Sequence, residues 1–109
     1  MWLNKPPVKD YYAVIFSSNK SETLEGYKEM DDAMMALAQQ QEGFLGYESV
    51  ANGTVGIFIS YWQNLESIDK WRKNNEHGKA KAHATNWYAR YLSQICKEEQ
   101  SHLFEKETL

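Results

Sequence analysis

The chain is 109 residues long, enough for one domain and no more, and its 12 basic and 15 acidic residues leave a net charge of −3. Its basic residues are scattered: Lys70, Arg72, Lys73, Lys79 and Lys81 are interleaved with Asp69, Glu76 and His77. No phosphate-neutralising face forms from such a pattern, so no nucleic-acid partner is expected. The single cysteine, Cys96, excludes an internal disulfide and a cysteine-rich metal site, and fits a reducing cytoplasm.

No segment is apolar enough for a signal-peptide core or a membrane span, so a cytoplasmic chain without membrane contact is expected. Four Trp and seven Tyr are more half-polar bulk than so small an interior can absorb. Some of it is expected to face a pocket or a partner subunit, where these residues are enriched.

Residues 1–10 form a leader closed by Pro6-Pro7, followed by the strand Tyr11-Tyr12-Ala13-Val14-Ile15-Phe16. Ser17 to Ser21 is a turn, with Ser21 a candidate N-cap for a helix starting at Glu22. In that helix Tyr27, Met30, Met34 and Leu37 form one apolar stripe at spacings of three and four. Its acidic residues, Glu22, Glu25, Glu29, Asp31 and Asp32, read as a solvated face. Gln39 to Glu42 extend the helix to a stop at Gly43.

A second strand runs from Phe44 to Val50, and Asn52-Gly53 predicts a type I′ hairpin into a third, Val55 to Trp62. Asn64 can cap the next helix, whose inner side holds Leu65, Ile68 and Trp71. A further helical piece starts near Glu76. The fourth strand, Tyr88 to Lys97, has the interleaved sets Trp87/Ala89/Tyr91/Ile95 and Tyr88/Leu92/Cys96, with Cys96 expected to be a buried thiol. The domain is thus residues 11–98, and 99–109 are a tail that reads as a short helix or as an arm on another chain.

The order β-α-β-β-α-β is the split βαβ arrangement: an α+β, ferredoxin-like antiparallel sheet with helices on one face. Both alternating sets of the first and third strands are apolar, which requires cover on both sides. One chain supplies one cover, so a two-fold homodimer with sheets packed face to face is expected.

With Gly43-Phe44-Leu45-Gly46, Ser60-Tyr61-Trp62, Ser67-Ile68-Asp69-Lys70-Trp71 and Asn75-Glu76-His77 in that order, residues 11–98 resemble the antibiotic biosynthesis monooxygenase family of dimeric α/β barrels. The resemblance implies an obligate dimer with a pocket between sheet and helices. Some members there oxidise polycyclic phenols with dioxygen, without metal or flavin. Others degrade haem, isomerise small signalling molecules or have no known activity.

Cofactor-free oxygenation needs an easily ionised aromatic substrate, an apolar cavity and a proton acceptor near neutral pKa. On this reading His77 is the proton acceptor or orienting group, and Trp71, Tyr61, Trp62 and Tyr47 shape the pocket, with no metal and no cofactor. The alternatives are a histidine that caps its helix and a Trp71 that belongs to the core. Alternation along the strand sends Tyr61 and Trp62 to opposite sides, so at most one of them meets a given cavity.

A non-catalytic small-molecule-binding or stress-associated dimer is the reading of a different class. Haem degradation requires an asparagine on the first strand and a histidine near Lys81. Trp71 matches that branch, but the strand Tyr11 to Ser18 has no asparagine and the histidines fall at 77 and 83.

Overall fold

A computed structural model gives the architecture and describes residues 10–22, 24–104 and 106, with only the backbone for 75–77 and 80–82. The expected leader lies almost wholly outside the described residues. The element order is β1 (Tyr12–Lys20), α1 (Tyr27–Ala38), β2 (Phe44–Asn52), β3 (Val55–Trp62), α2 (Leu65–Arg72), α3 (Asn75–Trp87) and β4 (Tyr88–Lys97). The strands form one antiparallel sheet in the order β2-β3-β1-β4. This is the α+β ferredoxin-like fold, with the helices on one face.

Alternation and pairing assign each side chain to a face. Tyr12, Val14 and Phe16 share the helix side with Phe58, Ser60 and Trp62, because they are register partners. Ala13, Ile15, Ile57, Ile59 and Tyr61 lie on the other side. That side is bare: Val50 is 71% exposed, Val55 52%, Leu92 48% and Ile57 42%. Even on the central strand β1 no side chain is fully buried. The apolar residues that are buried, Ala38, Trp62, Ile68 and Trp87, hold the helices to the sheet. Among the described residues, no helix is long and apolar enough to cross a membrane.

Local chemistry sets the element ends. Gly26, at φ 79°, is left-handed and starts α1 without a side-chain cap, so the helix begins five residues later than Ser21 and Glu22 imply. Ser21 instead donates its hydroxyl to the Asn86 carbonyl at 2.6 Å, tying the end of β1 to α3. The helix ends at Ala38, and Gln39 to Glu42 form turns rather than a further helical stretch. In the hairpin Asn52 pairs with Val55, leaving Gly53-Thr54 as the loop. Gly53 has φ 62° while Thr54 is not positive, the pattern of a type II′ turn rather than the type I′ that Asn52-Gly53 predicts. Asn64 caps α2 as expected, its side chain accepting from the Ser67 amide at 2.8 Å.

Two irregularities shift the alternation. Leu45 is left over between the Phe44–Trp62 and Gly46–Tyr61 pairs, which brings Phe44 and Tyr47 to the same face. Ala89 plays the same part between Asn19–Arg90 and Lys20–Tyr88, so Tyr88 joins Tyr91 rather than Leu92 and Cys96. Cys96 is exposed, not buried, because the face it occupies has no cover within one chain. The tail forms no helix over its described residues. Its start is pinned by the Glu98 amide donating to the Tyr11 carbonyl at 2.8 Å, while Phe104 stands 72% exposed.

Candidate active site

The junction of β3 and α2 buries Ser60, Trp62, Ser67 and Ile68. Trp62, fully buried, lies nearly parallel to Trp71 at 6.1 Å between ring centres and takes the Phe44 ring edge-on at 5.3 Å. Its indole N–H donates to Ser60 Oγ at 2.9 Å, which satisfies the one polar atom the ring carries inside. Gly43, at φ 88°, admits α2 here: a Cβ on it would lie 2.6 Å from Ser67 Cβ. Trp71 is half-buried against Trp62, so it joins the packed wall and still reaches the surface.

Beside this wall, between α1 and the strands β2 and β3, lies a cleft of about 370 Å³. Its floor is Tyr47 and Phe58, whose rings stack at 5.6 Å with 22° between planes. Ser49 completes the floor, and Asp31, Asp32, Met35, Ala36 and Gln39 form the helical wall. Those wall positions recur at intervals of one and four, one flank of a helix. Asp31 keeps its outer edge in solvent, but burial against the wall, chiefly, and the adjacent Asp32 charge raise its carboxyl above the usual 3.8. Lys20 and Lys28 oppose that rise. Asp32 itself is held by Lys28 at 3.1 Å.

The residues named from sequence divide among three places. Tyr47 lines the cleft, and Trp62 and Trp71 form the packed junction next to it. Tyr61 points to the bare face, 6.0 Å edge-to-face from Tyr11 and hydrogen-bonded to Glu48. Its hydroxyl pKa is raised first by burial and then by the Glu48 charge. Tyr61 and Tyr47 therefore do not share a cavity. One Glu48 oxygen, Oε1, is enclosed and has no hydrogen-bond partner among the described residues. The backbone of His77 is in the first turn of α3, and its side chain lies outside the described residues.

Asp31 was hidden among the acidic residues of an apparently solvated face, and Gln39 among those read as extending the helix. One signal pointed to it: Asp31 follows Tyr27 by four and precedes Met34 by three, so it borders the apolar stripe.

Elsewhere, Trp87 donates its indole N–H to the Glu25 carbonyl at 3.0 Å and packs between Tyr27 and His83. His83 and His102 are exposed, and no group of three His, Cys, Asp or Glu among the described residues is placed to hold a metal. β1 extends to Lys20, so Asn19 is on the first strand after all. Its side chain accepts from Thr54 Oγ1 at 3.0 Å, on the bare face. It stands seven residues along the strand from Tyr12, the partner of Trp62, or roughly 23 Å. Asn19 and Trp71 thus do not meet around one ligand.

A ferredoxin-like sheet with a cleft beneath its first helix defines a small α+β protein of the ferredoxin-like class. The model of the antibiotic biosynthesis monooxygenase family matches residues 10–83, and the chain belongs to that family. The uncharacterized protein YqjZ of Bacillus subtilis (strain 168) is 44% identical over 110 residues, covering 98% of this chain and 96% of its own. The fold is also similar to a mutant of SnoaB, described as a cofactor-independent oxygenase from Streptomyces nogalater. That match has a TM-score of 0.74 at 8% identity, over 84% of this chain and 96% of SnoaB. Rv0793 from Mycobacterium tuberculosis matches with a TM-score of 0.71 at 13% identity, over 87% and 99% of the two chains.

Proposed function

We propose that this protein is a cofactor-independent monooxygenase of a small aromatic, quinol-type compound, acting as a homodimer with a cleft in each protomer. The observation that carries the reading is the stacked Tyr47–Phe58 floor in a family that includes monooxygenases. A planar ring fits on that floor with offset stacking, and Phe44, in ring contact with both Tyr47 and Trp62, ties the floor to the Trp62–Trp71 pair, which does not itself line the cleft.

His77 is the proposed proton acceptor. Removing a proton from the substrate yields an electron-rich anion, which passes an electron to dioxygen. The resulting radicals combine as a ring hydroperoxide, and loss of water leaves a carbonyl. One oxygen atom ends in product and the other in water, so no outside reductant is consumed. Tyr61 is not part of this cavity in the proposal; it belongs with Glu48 to the face that a second copy covers. A reducing compartment such as the cytoplasm suits the exposed Cys96 thiol.

An oxygen electrode tests the reading directly. With a quinol-type or anthrone-type substrate and no added cofactor, oxygen uptake above autoxidation is expected. His77→Ala should lower kcat about a hundredfold, the usual weight of a general base. An unchanged rate in that variant removes His77 from the mechanism. Tight retention of the aromatic compound without oxygen uptake assigns the cleft to a ligand-binding module instead. A Soret band on haem titration would favour the haem branch.

A further inference from the structure

The electrostatics of the cleft narrow what it can hold. Among the described residues lining it none is Lys, Arg or His, whereas two are aspartates. Asp32 is already occupied by Lys28 at 3.1 Å. Asp31 makes no hydrogen bond or ion pair with a described residue, although it lines the cleft and is partly desolvated there. Lys20 and Lys28 act on it through space without forming an ion pair, so its carboxylate stays available to a donor group entering the cleft. The floor, Tyr47 and Phe58, brings no charge of its own to offset the aspartates. Wall and floor together favour a positive or hydrogen-donating group and oppose an anion.

On the footing of the cleft proposed above, we propose that its ligand is a planar aromatic ring bearing an ammonium or hydroxyl donor directed at Asp31, and that rings bearing a carboxylate are rejected. The ring lies on Tyr47 and Phe58 and the donor faces the α1 wall. Met35 supplies a soft, adaptable contact on that wall. The selectivity is a difference between ligands of one shape, so it comes from charge at Asp31 and not from the size of the cleft.

Three probes of matched shape test this on the full chain by saturation-transfer NMR and calorimetry: tyramine, 4-ethylphenol and 3-(4-hydroxyphenyl)propionate. All three carry the same phenol hydroxyl and differ only at the end of the side chain, which is cationic, neutral or anionic, so the series isolates the charge presented to Asp31. Tyramine should bind about tenfold more tightly than the propionate, with 4-ethylphenol between them, as expected for one partly screened charge. In Asp31→Asn the spread should shrink to about threefold or less, with 4-ethylphenol within about twofold of its original affinity.

Propionate binding as tightly as tyramine, an undiminished spread in Asp31→Asn, or no tyramine binding at millimolar concentration would each overturn the proposal. Circular dichroism of Asp31→Asn establishes that the variant is folded, and Lys28→Met, which frees Asp32, should widen the spread. The two proposals fail separately: absence of oxygen uptake removes the oxygenase reading and leaves the binding order untouched, while a lost binding order leaves oxygen uptake standing.

Discussion

Tyr88 places its hydroxyl 3.3 Å from that of Tyr27, with Phe16 and Tyr91 rings against it. Burial above all, and then this hydrogen bond, raise its pKa far beyond the ordinary 10.0. In the unfolded chain the phenol ionises near 10, while in the fold it stays protonated, so between those values the unfolded state binds fewer protons. Stability is therefore full below pH 10.0 and falls as pH rises above it. Urea midpoints across that range should decline with pH, and Tyr88→Phe should flatten the decline; an equally steep profile in the variant would assign the loss to other groups. The same scale shows what a sequence can and cannot convey. Asn64 was legible because its capping bond reaches only three residues, to Ser67. Asp31 was not, because its environment is made by β2 and β3, which sequence spacing within α1 does not contain.

At the scale of elements, the number and order of strands and helices were legible from alternation and three-and-four spacing, and the ends were not. Gly26 delays α1, and the extra residues Leu45 and Ala89 turn later side chains to the other face. A strict period of two has no means of marking a bulge. Two glycines separate backbone freedom from close approach. Gly53, at φ 62°, has open space where a Cβ would be, so Gly53→Ala costs only the left-handed strain, about 1 kcal/mol. Gly43, at φ 88°, has α2 against it, and Gly43→Ala adds a clash with Ser67, for a total of about 2–4 kcal/mol. Denaturant midpoints of the two variants compare them, and equal losses would show that Ser67 yields freely.

For the whole molecule, the decisive feature is the sheet face away from the helices. It carries Ile15, Ile57, Ile59, Val50 and Leu92, and it encloses a Glu48 oxygen that has no partner among the described residues. Strands about 4.8 Å apart and eight residues of about 3.3 Å each give four strands a face of roughly 500 Å² in projection. Side-chain relief brings that towards the roughly 800 Å² per partner of a standard interface. The proposed dimer covers this face with its own copy, a closed two-fold arrangement that leaves no further apolar sheet surface to recruit more chains. The apolar character of this face was readable in the sequence because both alternating sets of β1 and β3 are apolar. A pocket between sheet and helices, with Tyr47 on it, was expected from the family resemblance, but its α1 wall was not, because that depends on how far α1 stands from the sheet.

Sedimentation equilibrium at micromolar concentration tests this central claim most directly. A single species of twice the chain's 12.7 kDa mass is expected, and replacing Ile57 by Asp should shift it towards the single chain. A stable, folded species of 12.7 kDa in the unaltered protein would contradict it.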